Sequence, residues 1–79
     1  MQIDAHQHYW NPARGDYGWM PKGDGVLDQV YGPEMLDPIL VAEGIGCSVL
    51  VQAAPTLAET EYLLDIAART ASVAAVVGW

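Results

Sequence analysis

"CSVLVQAAPTLAETEYLLDIAARTASVAAVVGW", residues 47–79, holds two apolar runs on either side of one amphipathic segment. The first run, 47–53, is continuous and rich in β-branched residues, the pattern of a strand buried on both faces. Thr56 and Glu59 have the spacing of a capping box. Beyond them Tyr62, Leu63, Ile66 and Ala67 recur at helical intervals, which predicts a helix over 57–70. The strand pattern resumes at 73–78. Strand, helix, strand with doubly buried strands is a βαβ unit, and βαβ units make parallel sheets. The fold class is α/β.

Upstream, "YGPEMLDPILVAEGIG" (31–46) carries a second helix pattern interrupted by Pro38. A proline inside a helix loses a hydrogen bond and clashes with the preceding turn. The expectation is therefore a single turn near Pro33 and a helix over 37–43, with Asp37 as N-cap and Pro38 as first helical residue. Gly44 supplies the stop. Residues 9–32 form a long loop punctuated by Gly and Pro and threaded with Tyr9, Trp10, Tyr17, Trp19 and Tyr31. So many aromatics favour an ordered loop that packs over something. The first strand is predicted over 1–6.

Composition narrows the function classes. With 3 basic and 10 acidic residues, a formal charge of −7, the chain has no basic footprint for nucleic acid or an anionic membrane. No apolar run is long enough to span a bilayer, and the chain opens without the basic and apolar regions of a secretory signal. The expectation is a cytoplasmic protein. Cys47 is the single cysteine, so an internal disulfide is excluded, and its apolar setting predicts a small buried residue. The chain is 52% hydrophobic in only 79 residues, which calls for more covering surface than three strands and two helices provide.

Both histidines lie in "IDAHQHYW", 3–10. Period-two alternation places Asp4, His6 and His8 on one face and Ile3, Ala5 and Gln7 on the other. Two imidazoles at i and i+2 can share one divalent ion, and Asp4 could orient a ligand. Taken alone, an H-x-H is as well explained by polar residues at a strand end. Its position, where the first strand gives way to a long loop, favours function, because reactive groups in α/β proteins gather beyond the carboxyl ends of parallel strands. Gln52, an uncharged polar residue near the end of an apolar strand, either bonds neighbouring backbone or reaches a substrate. Trp19 and Trp10 read as loop anchors, and Trp19 would also face a substrate under a lid. There is no dinucleotide fingerprint, P-loop or serine-hydrolase pattern.

"IDAHQHYWNPARGDYGWM", "VLVQAAPTLAETEYLLDIA" and "VVGW" together resemble the N-terminal part of the amidohydrolase superfamily, in its branch of sugar-lactone and dicarboxylate-lactone hydrolases. The resemblance implies that 1–79 is a fragment, the first two to three βα units of a (β/α)8 barrel with its site at the C-terminal face. It implies that His6 and His8 ligate a divalent metal, typically zinc, although some lactonases of this branch work without one. Later strands would bring the other ligands and an Asp acting as general base or ligand. The implied reaction is hydrolytic opening of a small-molecule lactone by an activated water, with no turnover by the fragment alone. A decarboxylase on the same H-x-H and a non-catalytic βα module that binds a metal or partner remain as alternatives.

Overall fold

The computed structural model describes residues 2–20, 22–23 and 25–78. Met1, where the predicted first strand begins, and Trp79 lie outside the described residues. Three strands and two α-helices alternate: β1 (Gln2–Gln7), α1 (Pro33–Glu43), β2 (Ile45–Val51), α2 (Leu57–Arg69) and β3 (Val73–Val77), with a short 3-10 turn at Pro12–Arg14. The sheet has the order β1-β2-β3, and both pairings are parallel. This is the α/β arrangement expected from the βαβ pattern.

The helix ends follow local chemistry. Thr56 caps α2, its hydroxyl accepting from the Glu59 N–H at 3.0 Å. Gly44 takes φ +72 after α1 and turns the chain straight into β2, so that strand starts at Ile45, two residues ahead of its predicted start, and ends at Val51. The start of α1 also differs from the expected 37–43. Pro33 is the first helical residue, Met35 and Leu36 donate to the Gly32 carbonyl, and the helix runs on through Pro38. Asp37 is therefore no cap. It accepts a 2.6 Å hydrogen bond from the Ser72 hydroxyl, which ties α1 to the start of β3.

Tyr9, Leu50, Leu63 and Ile66 form the core, with Leu36, Tyr62, Val73 and Val76 packed against it. Along β2, Ser48 and Leu50 are buried while Cys47, Val49 and Val51 are only half-buried. The expectation of strands buried on both faces is thus met on one face only. Cys47, expected to be buried, stands on the other.

In β1 the register slips. Asp4 lies opposite Ser48 and Gln7 opposite Leu50, three steps on one strand against two on the other. The extra residue breaks strict alternation at the histidines.

Burial, and after it the Asp37 carboxylate, pushes the Tyr9 phenol up from 10.0 to about 12. A proton held more tightly in the folded than in the unfolded chain stabilises the fold below the ordinary tyrosine value. That stabilisation is lost as pH rises through the folded value. Urea unfolding between about pH 9 and pH 12 should show stability falling, and falling less steeply in Tyr9→Phe. Equal slopes for the two proteins would show that Tyr9 carries none of this linkage.

Candidate active site at the carboxyl end of the sheet

The slip in β1 leaves His6 and His8 together. Their ring centroids are 5.0 Å apart and the rings cross at 74°. His6 is exposed and His8 half-buried. Asp4, expected to orient a ligand, instead accepts from the backbone N–H of His6 at 3.2 Å. It steadies the strand at the slip, and that bond does not involve an imidazole. Gln7, expected on the opposite face, lines the same cleft as both histidines and donates to the His8 carbonyl.

The informative contact is on His8. Its Nδ1 lies 2.9 Å from the carbonyl oxygen of Val51, the last residue of β2. A carbonyl can only accept, so Nδ1 carries the proton and donates it. In the neutral ring Nε2 then keeps its lone pair. This is the arrangement that fixes the tautomer and orientation of a metal-ligating imidazole. Among the described residues no group of three or more His, Cys, Asp or Glu gathers at metal-binding distance. His6 and His8 therefore fit part of a metal site, two donors of the four that zinc takes.

A cleft of about 460 Å³ opens beside the histidines, walled by Trp10, Leu27, Tyr31, Met35 and Ile39. Its mouth is shaped by the long loop, which is ordered by several bonds. Trp10 and Tyr31 exchange two backbone hydrogen bonds of 2.9 Å that close the loop at its base. The Trp10 indole donates to the carbonyls of Leu27 and Gln29, and the Tyr31 hydroxyl to that of Val26. Trp19, 49% exposed, donates its indole N–H to the Ala53 carbonyl at 2.7 Å and packs edge-on against Trp10, with centroids 5.3 Å apart. Gln52 lies between Val51 and Ala53. Its backbone N–H donates to Val77, which carries the sheet one residue beyond β2. Its side chain is half-buried and not among the residues that line the cleft.

Sequence reasoning missed Glu59. The capping-box spacing suggests a carboxylate that turns back to the Thr56 backbone. Instead Glu59 is fully buried and accepts from Arg14 Nη1 at 2.9 Å, the Tyr17 hydroxyl at 2.9 Å and the Ala53 N–H at 2.8 Å. Arg14 also bonds Asp16, and its guanidinium lies 4.4 Å from the Tyr62 ring centroid. Asp16 in turn accepts from the Thr56 hydroxyl. The one hint in the sequence is Arg14, a basic residue set among the aromatics of the loop, and nothing local links it to Glu59.

No family model matches the chain. Curated relatives do. An L-fucono-1,5-lactonase of Burkholderia ambifaria is 47% identical over all 79 residues, and one of Burkholderia multivorans is 44% identical over the same span. A crystal structure of an amidohydrolase from Burkholderia multivorans with bound zinc superposes on the whole chain with a TM-score of 0.89 and 44% identity. A second crystal form of that amidohydrolase, with bound HEPES, superposes equally well. The chain spans about a quarter of the length of these proteins, 27% of each lactonase and 28% of the crystallised chain. It is thus homologous along its whole length to one portion of lactonase-type amidohydrolases.

The Val51 contact fixes a tautomer. Nitrogen NMR of the neutral His8 ring should show a protonated Nδ1 and a bare Nε2. A ring protonated at Nε2 would mean that the Val51 carbonyl does not hold it.

Proposed function

We propose that this chain, as the homologue of one quarter of an amidohydrolase, forms the first βα units of a (β/α)8 barrel that opens a lactone ring by hydrolysis. His6 and His8 serve as two ligands of a divalent metal, zinc by analogy with the related crystal structure. The observation that carries this reading is the Nδ1–H of His8 on the Val51 carbonyl, which turns the Nε2 lone pair outward for coordination. The same bond disfavours a metal-free version, in which His8 would donate from Nε2 to the substrate. With Nδ1–H already committed, that donation requires the charged ring.

The chain's own residues have distinct tasks. His8 presents its lone pair beside His6, and Asp4 steadies the backbone that carries both. A divalent ion bound there supplies Lewis-acid polarisation of the ester carbonyl. Trp10 walls the cleft beside the pair. Trp19 and Gln52 stand outside that lining, at the loop and at the end of β2, and would reach a substrate only in a site extended by the rest of the barrel. The water-activating base and the remaining ligands come from later strands of the barrel. The segment alone therefore provides half a metal site and no turnover. A barrel also accounts for the half-covered face of β2 and for the exposed Ile3 and Val77 on the two outer strands, which neighbouring units would bury. A decarboxylase is not favoured, since both curated relatives are named as lactonases.

The test uses the complete polypeptide that carries this segment. Wild type should hydrolyse a sugar 1,5-lactone and hold stoichiometric metal. The double variant His6→Ala, His8→Ala should lose both, with hydrolysis down at least about a hundredfold. Metal retained in the double variant would overturn the ligand assignment, and an active metal-free wild type would overturn the metal.

A further inference from the structure

Beyond the histidine pair, the densest polar network of the described residues surrounds Glu59, and the proposed chemistry makes no use of it. A fully buried carboxylate is costly to desolvate unless it is paired and hydrogen-bonded. Here both oxygens are engaged. Oε1 takes Arg14 and the Tyr17 hydroxyl from the long loop, and Oε2 takes the backbone N–H of Ala53 at the end of β2. One side chain on α2 thus joins the loop to the strand exit. The Ala53 carbonyl, on the residue whose N–H Glu59 holds, accepts the Trp19 indole N–H. Trp19 then packs against Trp10, and Trp10 lines the histidine cleft.

We propose that Glu59 is a positioning residue: its bonds to Ala53, Arg14 and Tyr17 set where Trp19, and through it Trp10, stand against the histidine cleft. The proposal rests on the reading that the cleft admits the substrate. It adds that the aromatic wall is a fixed part of the site, held by a carboxylate that never touches the reacting atoms. Fixing the wall in advance spares the substrate the cost of ordering it, so its loss weakens binding more than chemistry. The three bonds are also a plain structural brace, and the test must separate the two roles.

The experiment compares Glu59→Gln, Tyr17→Phe and Arg14→Lys in the complete polypeptide. The first readout is the Trp19 indole N–H resonance, assigned through Trp19→Phe. In Glu59→Gln it should move towards the position of a solvent-exposed indole, with a smaller shift the same way in Tyr17→Phe, while the His8 ring resonances stay in place. The second readout is steady-state hydrolysis of a sugar 1,5-lactone. KM should rise about tenfold in Glu59→Gln with kcat within about threefold of wild type. An unmoved Trp19 resonance in folded Glu59→Gln overturns the proposal, as does a fall in kcat at constant KM. If Glu59→Gln does not fold, the milder Tyr17→Phe and Arg14→Lys decide by the same resonance, and an unmoved signal in both overturns it. A wild type that turns over no lactone sinks the proposed function. The indole readout still decides whether Glu59 places the wall.

Discussion

Where β2 ends, three consecutive residues hold separate parts of the site through their backbone. The Val51 carbonyl takes the His8 Nδ1–H, the Gln52 N–H keeps the sheet paired to Val77, and Ala53 is bonded on both sides, its N–H to Glu59 and its carbonyl to Trp19. Imidazole, indole and buried carboxylate are all referenced to one stretch of chain. Its position is set in turn by parallel pairing on both flanks, to β1 and to β3. A shift of one residue in that register would move the His8 acceptor and the Trp19 acceptor together. Chemistry placed on a strand end is more precise than chemistry placed on a free loop.

The long loop belongs to the same design. An aromatic stretch of this length would be free to move if it were tied only at its ends. It is instead closed by Trp10 and Tyr31, bonded to α2 through Arg14 and Asp16, and bonded to β2 through Trp19. The Arg14–Glu59 pair is the expensive member of this set, since losing Arg14 would leave the fully buried Glu59 carboxylate without its counter-charge. A pair so costly to break suits a wall that has to stay put.

Much of the fold was legible because it is written in periodic patterns. The run at 47–53, the stripe Tyr62, Leu63, Ile66 and Ala67, and Gly44 each report a local preference that the structure keeps, with ends shifted by a residue or two. Pro38 misled for a physical reason. The expected break at Pro38 does not occur: Pro33 starts the helix at the position that tolerates proline best, and α1 runs on through Pro38, which has no N–H to give to the carbonyl four residues back. The site was legible in part. H-x-H and its position single out the histidines as candidates, but the slip in β1 depends on pairing with β2 and has no local signal. Glu59 shows the limit most clearly. Its spacing from Thr56 is a local pattern, while its bonding is decided by Arg14, 45 residues away in sequence.

The proposed metal site depends on His8 being held at Nδ1 and offered at Nε2. Zinc-edge anomalous diffraction from crystals of the complete polypeptide tests this directly. The predicted result is a metal peak about 2.0–2.1 Å from Nε2 of His8 and from one ring nitrogen of His6, with the Nδ1–H of His8 still on the Val51 carbonyl. A peak on Nδ1 of His8, or one that touches neither ring, would contradict it.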